Sequence, residues 1–141
     1  NSDKFLLPIG KAKVEKIGTD ITIVAFSIMV GKALEAAIEL EKDGISAEVI
    51  NLRTLRPLDL TTIINSVKKT NRLITCEEGF GYSGIGSEIS SLIQENAFDW
   101  LDAPILRVYG KDVPMPYAEN LEKLALPQTS DIIEQAKQIC P

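Results

Sequence analysis

The sequence predicts an α/β fold, a mostly parallel sheet packed between two layers of helices. Three observations predict it. Apolar runs of strand length recur along the chain, at Ile21 to Phe26, Ala47 to Leu52, Arg72 to Glu77 and Ile105 to Gly110. Segments with apolar residues at helical spacing stand between them. Glycines, prolines and an aspartate of turn or cap type mark the changes from one pattern to the other. A strand covered on both faces reads as an unbroken apolar run, and strands alternating with helices imply βαβ units with right-handed crossovers.

The elements follow in order. In "GKAKVEKIG", Ala12 and Val14 alternate with Lys11, Lys13 and Glu15, the period of an exposed edge strand with its lysines outward. Ile21 to Phe26 is the first buried strand. Val30, Ala33, Leu34, Ala37 and Ile38 then form one helical stripe, closed by Gly44 as a C-terminal cap. Ala47 to Leu52 is the next strand, and Asp59 is placed to cap a helix carrying Leu60, Ile63, Ile64 and Val67. "RLITCE" is a strand, and a glycine loop opens a helix through Ile85, Ile89, Leu92 and Ile93. Ile105 to Gly110 is the last strand. The prolines of "KDVPMPY" break the pattern, and Gly110 to Tyr117 reads as a rigid contact loop at that strand's carboxyl end. "AENLEKLAL" is a short helix. Asp131 and Glu134 read as a capping box for a final helix carrying Ile132, Ile133, Ala136 and Ile139. Residues 1–8 read as a tether and 9–141 as one domain.

Composition narrows the function. The chain has 141 residues, enough for one substantial core, and a net charge of −5 that disfavours a nucleic-acid surface. No run approaches the roughly 20 apolar residues of a membrane span, and the first residues lack the apolar core of a secretory signal. Two cysteines, Cys76 in a strand and Cys140 near the end, make a disulfide framework improbable and point to a reducing compartment. Cys76 reads as a small buried hydrophobe. The chain contains no histidine. Ser-His-Asp and Cys-His hydrolysis are therefore excluded, as is the usual general base near neutral pH.

"GFGYSGIGSEISSLI" carries the one motif of ligand-binding type. Gly79, Gly81 and Gly84 fit G-x-G-x-x-G between a strand and a helix, where free amides favour anions. Three features oppose a dinucleotide. The motif falls in the third βαβ unit. Asp102, at the spacing of a ribose-binding acid, precedes the next strand instead of ending it. Glu77 and Glu78 stand at the mouth of the loop and would repel a pyrophosphate. The glycines read instead as a turn needing small residues for close packing. Neighbouring strand residues point to opposite faces, so Glu77 and Glu78 do not form a catalytic pair; one is expected buried and the other solvated.

"LPIGKAKV", "EVINLRTLRPLD", "VKKTNRLITCEEG", "GIGSEI", "FDWLDAPILRV" and "GKDVPMPYAENLE" resemble the C-terminal, transketolase-like half of the beta subunit of pyruvate dehydrogenase. The resemblance runs from about Leu7 to the end. It implies a three-layer α/β/α domain with a five-stranded, mostly parallel sheet and one antiparallel edge strand, which the lysine-rich segment suits. It implies an α2β2 component that decarboxylates pyruvate on thiamine diphosphate and acetylates lipoyl groups. The partners it implies are an alpha subunit, a second beta subunit and the basic peripheral subunit-binding domain of the acyltransferase. It also implies the bacterial cytoplasm or the mitochondrial matrix. No residue here matches a catalytic, cofactor-binding or metal-binding position of the family, so the fragment alone is expected to be inactive and to leave the cofactor to residues outside it. Asp102, in "LDAP", matches a docking position, and Ile139, Cys140 and Pro141 lie near it in the family. Turn capping is the other reading of Asp102. The alternatives are a branched-chain 2-oxoacid dehydrogenase beta subunit and a free-standing nucleotide-binding module.

Overall fold

The computed structural model describes residues 6–140. Its elements in chain order are β1 (Lys13–Lys16), β2 (Ile21–Ala25), α1 (Met29–Lys42), β3 (Ala47–Asn51), α2 (Leu60–Thr70), β4 (Leu73–Phe80), α3 (Ile85–Ala97), a 3-10 turn (Phe98–Trp100), β5 (Leu106–Gly110), α4 (Glu119–Ala125) and α5 (Thr129–Ile139). The sheet order is β1-β3-β2-β4-β5. All pairs are parallel except β1 with β3, so the alternating lysine segment is the antiparallel edge. Of the tether, residues 1–5 lie outside the described residues, while Leu6, Leu7 and Pro8 are exposed and irregular.

The three layers follow from the burial pattern. Every residue of β2 is buried, as its unbroken apolar run requires. Ile21, Ile23 and Ala25 point to one face, under α1 and α5, with Val49, Ile74, Cys76 and Val108. Val24, Ile50 and Leu73 point to the other, under Ile63 and Val67 of α2 and Ile89 and Ile93 of α3. Asp59 caps α2 as its position predicts, its side chain accepting from the Thr62 amide. Burial opposes the charge of Asp59, but the Thr62 hydroxyl, the Ala12 and Thr62 amides and the charge of Lys11 together hold its carboxyl below the usual range. Gly44, at φ +82°, closes α1 in the left-handed conformation that favours glycine.

Two helices depart from the sequence pattern. The predicted stripe of α1 ends on Ile38, yet Ile38 is 54% exposed and Leu40 is fully buried. The buried arc is Met29, Ala33, Ala36, Ala37 and Leu40, with Val30 and Leu34 at its margin. It is turned because α1 packs against α5 as well as the sheet, and small alanines admit that close approach. The second departure is the cap of α5. Its capping box pairs Gln128 with Asp131, the Gln128 amide donating to Asp131 Oδ2 at 2.7 Å. Asp131 is thus the inner member of the box rather than its first residue, and Glu134 lies beyond it. Glutamine is not a favoured N-cap, which hid the true start.

A polar network lies inside the α2 layer. Glu48 of β3 is buried and accepts from the Ser66 hydroxyl, from Lys69 Nζ and from the Gly18 amide at 3.3 Å. Thr22 of β2 joins Ser66 at 2.6 Å and Thr70 at 2.7 Å. The Lys69 side chain reaches solvent while its partner does not. The buried charge is thereby fully hydrogen-bonded, the condition on which such burial is tolerated.

The turned arc of α1 predicts opposite outcomes for residues two apart. Leu40→Ala, which opens a cavity in the core, should lower unfolding stability by about 2–5 kcal/mol. Ile38→Ala should change it by less than about 0.5 kcal/mol. Urea unfolding of both variants measures the difference.

Candidate functional site

The glycine motif and Asp102 lie at two places on the fold, at opposite ends of the strands. The first is the glycine loop at the carboxyl end of β4. None of Gly79, Gly81, Gly84 and Gly86 has a positive φ, so backbone freedom does not explain them. Space explains three of the four. A Cβ on Gly81 would sit 2.6 Å from the ring of Tyr109. One on Gly84 would sit 2.5 Å from Glu77 Oε1 and 2.6 Å from the Phe80 carbonyl. One on Gly86 would sit 2.6 Å from Thr75 Oγ1 and 2.9 Å from Glu77 Oε1. Gly79 has nothing within 4 Å.

Glu77 occupies the position where a phosphate would bind. It is 3% exposed, and its Oε1 accepts from the Gly86 amide at 3.1 Å. Burial pushes its carboxyl above the usual range, while the amides of Gly86 and Ile85 and the charge of Arg107 pull the other way. The first amides of α3 already face an anion belonging to the chain. Thr75 Oγ1, buried and without a hydrogen-bond partner among the described residues, borders the same spot. Arg107 completes the joint, donating from Nη1 to the Gly81 carbonyl at 3.0 Å and to Ser87 Oγ. A diphosphate at this loop would have to displace Glu77 from the Gly86 amide. As expected of strand neighbours, Glu78 is the more exposed of the two acids. Burial, and then the charge of Glu77, push the thiol of Cys76 far up, so it is inert as a nucleophile.

The second place is the loop before β5, at the amino ends of the strands. Asp102 lies there, so it cannot share a ligand with the glycine loop. Asn71 positions it. This residue ends α2 in the left-handed conformation, at φ +60°. Its side-chain amide donates to the Trp100 carbonyl at 2.7 Å, and its own carbonyl accepts from the Asp102 amide at 2.9 Å. The Asp102 side chain is exposed and accepts no hydrogen bond among the described residues, so it caps no turn there. Beside it runs a groove of about 540 Å³ lined by Ser90, Gln94, Phe98, Leu101, Pro104 and Ile105. Phe98 and Trp100 are largely exposed, with Lys68 Nζ 5.6 Å from the Trp100 ring. Glu95 and Asp99 are exposed along the same stretch. The surface is therefore aromatic at its centre and acidic at its margin.

The end of α5 lies near the same end of β4 but under the opposite face. Ile139 is half-buried and Cys140 is buried, both against the α1–α5 core. Burial raises the Cys140 thiol, and the charge of the neighbouring Arg72 pulls it down. No hydrogen bond joins Asp102 to Ile139 or Cys140 among the described residues, and Pro141 lies outside them. The sequence reading passed over Asn71, Phe98 and Trp100. An asparagine directly after a helical stripe was the available signal for the first.

The comparisons with known proteins agree on the family. The model of "Transketolase, C-terminal domain" matches residues 10–132. The chain is 62% identical over 136 residues to the mitochondrial pyruvate dehydrogenase E1 component subunit beta of Dictyostelium discoideum, covering 96% of this chain and 38% of that protein. It is 55% identical over 138 residues to the subunit beta of Rhizobium meliloti, covering 98% of this chain and 30% of that protein. It thus spans well under half of either relative. A split gene transketolase, solved as an inactive beta4 tetramer, superposes with a TM-score of 0.83 at 31% identity, covering 99% of this chain and 44% of that one. The chain belongs to the transketolase C-terminal domain family.

Two outcomes follow from the glycine loop. Gly86→Ala should lose about 1–3 kcal/mol of stability through overpacking, whereas Gly79→Ala, in open space, should stay within about 0.5 kcal/mol. Denaturant unfolding checks both. The raised carboxyl of Glu77 also sets a pH dependence. Its folded state holds the proton more tightly than the unfolded chain does. The stability this adds is fully present below the ordinary glutamate range and is lost as pH rises through the folded value. Wild type should therefore lose stability relative to Glu77→Gln on going from about pH 4 to neutrality. A stability difference between the two that stays constant with pH would contradict this reading.

Proposed function

We propose that the chain serves as the C-terminal domain of the beta subunit of pyruvate dehydrogenase, and that its own task is assembly and docking rather than chemistry. The identity of 62% across 96% of the chain carries this reading. In it, the whole enzyme decarboxylates pyruvate with thiamine diphosphate as an α2β2 assembly and passes acetyl groups to lipoyl groups of the acyltransferase. The cofactor and the chemistry lie outside these residues, and the chain alone is inactive. One feature supports this division: the glycine loop is filled by Glu77. The working compartment is the bacterial cytoplasm or the mitochondrial matrix.

The docking surface in this reading is the groove beside Asp102, and its partner is the basic peripheral subunit-binding domain of the acyltransferase. An exposed aspartate without an internal partner, beside Phe98, Trp100 and Leu101, has the form of an interface with apolar anchors and a charged rim. In this reading Ile139, Cys140 and Pro141 contribute to docking as well; the first two are packed into the α1–α5 core, under the opposite face of the sheet from the groove.

Surface plasmon resonance with the purified subunit-binding domain tests the proposal. Binding should weaken as salt rises, mainly through the on-rate, since exposed charges are screened over roughly 8 Å at physiological ionic strength. Asp102→Ala should remove about 2–5 kcal/mol of binding, chiefly by leaving a basic partner unpaired, with an unchanged unfolding midpoint. A lowered midpoint with intact binding would sink the docking role.

A further inference from the structure

We infer that the face of the Trp100 ring receives a cationic side chain of the docked partner, and that Lys68 covers this face only in the free chain. The inference rests on the docking reading proposed above and names a residue pair that sets its specificity.

Lys68 stands in the last turn of α2 and is exposed. Its neighbour Lys69 is tied to the buried Glu48, whereas Lys68 makes no ion pair among the described residues. What it has is the Trp100 ring, with Nζ 5.6 Å from the centroid. The negative face of an indole attracts a cation, but at an exposed site the attraction is weak. A lysine on a flexible stem can therefore be exchanged for a better cation. A guanidinium is such a cation, being planar, less strongly hydrated and able to stack on the ring.

The ring stays in place while its cation changes. The Trp100 carbonyl accepts from the Asn71 side chain at 2.7 Å, which fixes the backbone beneath it. Trp100 lines a depression of about 300 Å³ together with Glu95 and Asp99. Phe98 is a wall of both this depression and the groove beside Asp102, so the two are continuous. Glu95, Asp99 and Asp102 are exposed, and none of them pairs with a cation among the described residues. Lys68, anchored on α2, reaches the ring and none of these carboxylates. A cation carried in by a basic module meets both. Lys68 is in addition a like charge facing that module, so docking turns it away from the ring.

The chain has a single tryptophan, which makes the test direct. Fluorinated tryptophans drain the negative face of the ring and hardly alter its size, so they separate cation binding from simple packing. Surface plasmon resonance with the purified subunit-binding domain gives the affinity. Lys68→Ala should bind about two- to fivefold more tightly than wild type, with an unchanged unfolding midpoint. In that variant, affinity should fall stepwise as fluorines are added to Trp100. The gain from Lys68→Ala should shrink when Trp100→Leu is also present. Affinity indifferent to fluorination, or weakened by Lys68→Ala, overturns the exchange at the ring while leaving the docking beside Asp102. A wild-type chain that does not bind the module overturns the docking reading and this inference with it.

Discussion

A carboxylate buried against the first amides of a helix is the constraint that the carboxyl end of this sheet depends on. Glu77 leaves β4 pointing into the α3 layer and meets the Gly86 amide. Everything near it must then be small. Gly84 and Gly86 lie against its oxygens and Gly81 lies under Tyr109, while Arg107 reaches across from β5 to close the joint. The crevice outside the carboxyl ends of the strands is where open α/β sheets usually take a ligand. Here the chain supplies the acid itself.

Much of the architecture was legible because its signals are local. The unbroken apolar run of β2, the alternation of β1, the Asp59 cap and the glycine after α1 each act within a few residues of themselves. What the pattern misled on depends on partners far away in sequence. The buried arc of α1 is set by α5, roughly a hundred residues later, so Ile38 looked as apolar as Leu40. Glu77 was read as an acid that repels phosphate. Its role as the anion of α3 needs the turn to bring it back onto Gly86. Glu48, Ser66 and Thr70 look in sequence like a solvated face, and only the packing of α2 on β2 and β3 makes them interior.

The groove beside Asp102 shows the same division. Asp102 was identified through resemblance, and its neighbours came from geometry. Asn71 acts as a hub there, since one residue ends α2, begins the approach to β4 and ties down both Trp100 and Asp102. The loop that carries Phe98 and Trp100 is therefore tied to the end of α2 by the two hydrogen bonds that Asn71 shares with Trp100 and Asp102.

The polar network around Glu48 acts as an alignment key for the sheet. Strand side chains alternate faces, so a slip of β3 by one residue along β2 would turn Glu48 into the layer packed by Ala37 and Leu40. It would also strand Ser66 and Lys69 without their acceptor. Apolar neighbours such as Val49 and Ile50 are nearly interchangeable in either layer and would hardly resist the shift. A buried carboxylate with Ser66 and Lys69 as its partners on one side does resist it. Between strands built mostly from Ile, Val and Ala, this ion singles out one alignment from several that would bury similar apolar area.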